Sequence, residues 1–107
     1  MGNLSQGPIR NTDTKSALTG SSPDTASVGT SSSEVLPSNS NRKGLVIVNT
    51  SANIVSLSFG SNPAVLNNGI TLFQYGVFNM DEYMYTTEAI NAIANVGSSV
   101  ISIQEFI

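Results

Sequence analysis

Histidine, cysteine and tryptophan are absent from this sequence, and charge is scarce: four Lys and Arg and seven Asp and Glu make up 10% of the chain, against roughly 25% in an ordinary soluble domain. Without histidine the chain lacks the commonest general base and metal ligand. Without cysteine it lacks the strongest side-chain nucleophile, a thiolate metal site and any disulfide framework. Four cations cannot neutralise a run of phosphates, so nucleic acid is excluded as an expected partner. No stretch approaches the ~20 apolar residues that span a bilayer, and no membrane association is expected. The start, Met1-Gly2-Asn3-Leu4-Ser5, lacks the basic and apolar regions of a signal peptide. Gln6 stands where a myristoylation signal prefers Ser or Thr.

What replaces the missing charge is Ser, Thr and Asn, a surface suited to contact with other protein. The 107 residues give room for one ordinary domain. Composition changes near Asn41. Before it, Gly, Pro, Ser and Thr dominate and the apolar residues Leu4, Ile9, Leu18 and Val28 are scattered without a period, a pattern that cannot build a core alone. After it, β-branched residues cluster between Gly, Asn and Pro turn signals, as in all-β domains. The expected organisation is therefore an extended N-terminal arm over residues 1–41 and a β-domain over residues 42–107.

Six or seven strands are expected: Gly44–Asn49, Ile54–Phe59, Ile70–Gln74, Val77–Asp81, Ala89–Ala94 and Val100–Phe106, with Ser32–Leu36 as the candidate first one. Gly44–Asn49 is apolar enough to be buried on both faces, whereas Val55, Leu57 and Phe59 alternate with Ser56 and Ser58 and predict a single buried face. The short link Thr50-Ser51-Ala52-Asn53 predicts a hairpin between these two strands. Ile90, Ile93 and Ala94 also fall at helical spacing, but Asn91 and Asn95 are weak helix formers and the segment lies among strands, so it is read as one. The fold class is all-β, a small antiparallel β-sandwich of jelly-roll type.

The only acidic cluster is Asp81-Glu82 with Glu88. Asn79 and Asp81 would share a strand face, an arrangement that hard cations such as Ca²⁺ accept, but no ligand-spaced loop accompanies it and no metal, cofactor or catalytic residue is assigned. Arg42-Lys43 stands before the most apolar strand, either contacting an acidic partner or as solvated charges that discourage aggregation. Phe73, Tyr75, Phe78, Tyr83 and Tyr85 suit core and interface packing, or, through Tyr75, Tyr83 and Tyr85, a sugar-stacking platform. The two acceptor-like triplets Asn3-Leu4-Ser5 and Asn49-Thr50-Ser51 carry no weight in a chain without a secretion signal.

The run Val35-Leu36-Pro37-Ser38-Asn39-Ser40-Asn41-Arg42-Lys43-Gly44-Leu45-Val46-Ile47-Val48-Asn49 resembles a motif of small bacteriophage virion structural proteins. The likeness continues through Gly69-Ile70-Thr71-Leu72, Glu88-Ala89-Ile90-Asn91-Ala92-Ile93-Ala94 and Ser102-Ile103-Gln104-Glu105-Phe106. It implies a β-sandwich, self-association and no catalysis. The expected protein is a capsid decoration or head-fibre-base component, made in the host cytoplasm and resident in the virion. Its sandwich would form a homo-oligomer, with a trimer favoured. Its arm would lay Leu4, Ile9, Leu18 and Val28 into pockets of the major capsid protein, several tethered arms raising the effective concentration of each contact. The alternative is a tail or fibre adhesin module that holds a host-surface glycan.

Overall fold

A computed structural model describes residues 17–107. Eight strands run in the order β1 (Asp24–Val28), β2 (Ser33–Leu36), β3 (Gly44–Asn49), β4 (Val55–Phe59), β5 (Ile70–Leu72), β6 (Val77–Met80), β7 (Ile90–Ala94) and β8 (Ser99–Phe106). Among the described residues there is no helix, and so none long and apolar enough to cross a membrane.

The strands form two four-stranded antiparallel sheets, β1-β8-β3-β6 and β2-β7-β4-β5. The adjacent pairs β1 with β8, β2 with β7, β3 with β6 and β4 with β5 are those of one long hairpin, with β1 to β4 as one arm and β5 to β8 as the other, rolled up on itself. This is the jelly roll, an all-β sandwich as expected. The loops collect at its two ends. Residues 29–32, 50–54, 73–76 and 95–98 lie at one end, and residues 37–43, 60–69 and 81–89 at the other.

Period-two alternation builds the core. Ile90, Ala92 and Ala94 of β7 face inward while Asn91 and Ile93 face out, which resolves the helical spacing of this segment in favour of a strand. Ser99, Ile101 and Ile103 of β8 and Leu45 and Ile47 of β3 alternate in the same way. They meet Val28, Val55, Leu57 and Leu72 in one cluster. Val46 and Val48 are only half-buried, so β3 is not buried on both faces; among the described residues there is no third sheet to cover the outer side of its own. The other sheet does have a cover. Loop 60–69 folds across it, Asn67 N–H donating to Ser56 Oγ at 2.8 Å and Ala64 N–H to Ser32 Oγ at 2.8 Å, which is how Ser56 becomes fully buried.

Two expectations about connectivity are corrected. β3 and β4 are not hairpin partners: the link 50–54 crosses from one sheet to the other, because β3 is already flanked by β6 and β8. The boundary at residue 41 also fails, since β1 and β2 precede it and each pairs within a sheet. Pairing extends further upstream, where Thr19 exchanges two backbone hydrogen bonds with Ile107 and Ser21 N–H donates to Glu105 O. β1 carries only two inward apolar residues, Ala26 and Val28, between polar ones, yet Val28 is fully buried. Val28→Ala is therefore expected to destabilise the domain by about 2 kcal/mol, read as a lower urea midpoint. An unchanged midpoint would detach β1 from the core.

Candidate functional site

Arg42 does not lie on the surface. Its side chain is fully buried, Nε donating to Glu105 Oε2 at 2.8 Å, Nη1 to the carbonyls of Thr86 (3.0 Å) and Glu88 (2.7 Å), and Nη2 to Pro37 O (2.8 Å). The planar guanidinium thus ties loops 37–43 and 81–89 to the end of β8, using its fork of donors in a way an ammonium cannot. It is a structural pin and is withdrawn as a surface contact. Its neighbour Lys43 is exposed.

Of the proposed arm contacts, Val28 belongs to the core and is withdrawn from partner binding. Leu18 is half-buried beside β3, where a Cβ on Gly44 would meet its Cδ1 at 3.5 Å. Leu4 and Ile9 lie outside the described residues.

The opposite end of the sandwich is organised by Asn49, a fully buried amide. Its Nδ2 donates to Asn53 O (2.6 Å) and Leu72 O (2.9 Å), and its Oδ1 accepts from Ser51 N–H (3.0 Å) and Ser51 Oγ (2.7 Å). All four hydrogen-bonding valences are filled. Its backbone also holds the turn before β6, accepting from Tyr75 N–H and donating to Gly76 O. Tyr75 sits there at φ +61°, a region in which a bulky residue is strained. A Cβ on Gly76 would strike Phe73 O at 2.9 Å, so the turn closes tightly and presents Phe73 and Tyr75 outward, 65% and 69% exposed.

The three tyrosines therefore do not form one platform. Tyr75 follows the pairing at Asn49, whereas Tyr83 and Tyr85 follow Met80, which pairs with Leu45 at the other end of β3. Four residues of strand put the two groups roughly 13 Å or more apart. At the Tyr85 end lies an open groove of about 300 Å³ lined by Phe59, Phe78, Asn79, Met80, Met84, Tyr85 and Thr86. Phe59 and Phe78 meet there as a tilted pair with centroids 5.7 Å apart.

The acidic residues are used locally. Asp81 Oδ1 accepts from the N–H groups of Tyr83 and Met84 and caps their turn. Glu88 lies against Gly60 and Thr86. Among the described residues no three acidic groups gather as a metal site.

What sequence reasoning missed is how many exposed apolar side chains gather on the stretch that contains β6. Among the described residues nine large apolar side chains are exposed, and six of them, Phe73, Tyr75, Val77, Tyr83, Met84 and Tyr85, fall within residues 73–85, the stretch that contains edge strand β6. The aromatic spacing was visible in the sequence, but the edge position of β6 depends on the sheet order. No family model matches the chain, and neither a curated protein nor a solved structure matches it.

Proposed function

We propose that this chain is a non-enzymatic structural protein of a virus particle, a bacteriophage capsid decoration or head-fibre-base component that binds the major capsid protein through the segment preceding its sandwich and other copies of itself through the sandwich. Fold alone carries no function, although jelly rolls recur in viral capsid domains. The observation that carries the reading is the set of six exposed large apolar side chains within residues 73–85 on a chain with 10% charged residues. Such a surface is built to be covered by protein rather than by solvent. The likeness of residues 35–49 to phage structural proteins points the same way.

The glycan-binding alternative draws less support. Its three tyrosines stand at two ends of the molecule, and the groove beside Tyr85 is lined mainly by Phe and Met, which suits an apolar side chain better than sugar hydroxyls. Particles of the virus that encodes the chain should contain it. A variant lacking residues 1–16 should keep its thermal transition but fail to enter those particles. Absence of the full chain from purified particles, by immunoblot and mass spectrometry, would overturn the proposal.

A further inference from the structure

The two sheets have four edge strands: β1 and β6 in one, β2 and β5 in the other. An exposed strand edge is a template for pairing, and proteins that must stay apart protect it with charge, proline, bulges or shortness. β1 opens on Asp24 directly after Pro23. β2 carries Glu34 and a register shift before Leu36, and ends against Pro37. β5 is three residues long. β6, Val77-Phe78-Asn79-Met80, is as short as β2 but carries no charge, no proline and no irregularity in its pairing with β3.

We infer that the edge of β6, which no other described strand pairs, is a self-association surface, on which a second copy of this chain adds its own β6 antiparallel across a two-fold axis. Charge placement selects this geometry. Asp81 and Glu82 follow β6 at one end only, so a parallel pairing would bring the two acidic pairs together, whereas the antiparallel one sends them to opposite ends. The same operation brings the Phe73–Tyr75 turn of each copy toward the groove and the Tyr83, Met84 and Tyr85 segment of the other. The strained Tyr75 and the outward-held Phe73 then meet an open apolar groove, and the contact is self-complementary, as a two-fold interface requires.

The area suffices. Four aromatic rings of roughly 200 Å² each, a little over half exposed, supply about 500 Å², and Met84 with Val77 bring the total to about 700 Å² per copy. A standard stable interface takes about 800 Å² per partner, and backbone pairing along β6 adds to the side-chain contribution. The pair would be one continuous eight-stranded sheet, a closed dimer in place of the trimer the sequence favoured. The inference deepens the self-association part of the proposed function and does not depend on a virus particle: a chain absent from particles that still pairs through β6 would remove only the virion reading.

Sedimentation velocity with light scattering on the full chain tests it. The wild type is expected at twice the monomer mass. Val77→Lys combined with Asn79→Lys, both exposed positions, should run as a folded monomer, while Thr25→Lys on β1 should still pair. Tyr75→Gly removes a ring and relieves the positive φ, so pairing should weaken about tenfold or more with an unchanged or higher thermal midpoint. This variant decides the matter if the double lysine variant does not fold. A monomeric or trimeric wild type, a dimer surviving both variants, or equal disruption by Thr25→Lys would overturn the inference.

Discussion

Replacing Arg42 by alanine is expected to destabilise the fold by about 3–5 kcal/mol, the range for removing one partner of a buried ion pair. The substitution leaves the Glu105 carboxylate with only the longer hydrogen bond from Asn39 Nδ2 (3.4 Å) and takes the guanidinium donor from the carbonyls of Pro37, Thr86 and Glu88. Arg42→Lys should recover only part of the loss, because one ammonium cannot reach four acceptors that a planar fork addresses from different nitrogens. Lys43→Ala, at an exposed position, should stay within about 0.5 kcal/mol of wild type. Urea unfolding of the three variants measures the contrast. Equal stability of the Arg42→Ala and Lys43→Ala chains would show that the guanidinium is not the pin described.

Asn49→Ala is expected to cost about 3 kcal/mol, since Ser51 N–H, Asn53 O and Leu72 O all lose a buried partner. Asn49→Asp should cost more despite its matching shape. A carboxylate in that position faces the carbonyls of Asn53 and Leu72 with no proton to offer, in a fully buried site. Its backbone also anchors the Tyr75 turn, so both variants should speed amide exchange at Tyr75 and Gly76 before global unfolding. Full retention of slow exchange there would separate the Asn49 network from the turn. The same burial closes the Asn49-Thr50-Ser51 triplet to glycosylation in the folded protein.

The strands that could be read from sequence are those whose side chains report burial by themselves. β4 alternates apolar and polar residues, β7 and β8 are rich in Ile and Ala or Val between turn signals, and β3 holds the aliphatic run Leu45–Val48. β1 escaped because Asp24-Thr25-Ala26-Ser27-Val28 offers only Ala26 and Val28 to the core. Its place is set by pairing with β8, some 75 residues away in the chain, a contact without a local signal. The predicted β3-β4 hairpin failed for a related reason: a short link fits a hairpin and a sheet-to-sheet crossing equally well, and the neighbours of β3 decide between them. Arg42 was misread because a cation before an apolar strand is usually solvated, and its partner Glu105 lies 63 residues on.

The candidate site was half legible. Tyr75, Tyr83 and Tyr85 stand out in a chain with only 7% aromatics, and all three are exposed. Their grouping into one sugar platform could not survive the topology, which sends the chain along β6 between them. What joins them is the edge of that strand. With Arg42 and Val28 absorbed into the fold, the proposed self-association surface lies along β6 and its flanking turns, while the proposed capsid contact stays with the segment preceding the sandwich.

Hydrogen–deuterium exchange on the full chain, followed as concentration rises through the range in which it associates, tests this placement most directly. Protection gained over residues 73–85, with loop 60–69 and β1 unchanged, is the predicted result. Association without added protection at residues 73–85, or with protection gained at β1 instead, would contradict it.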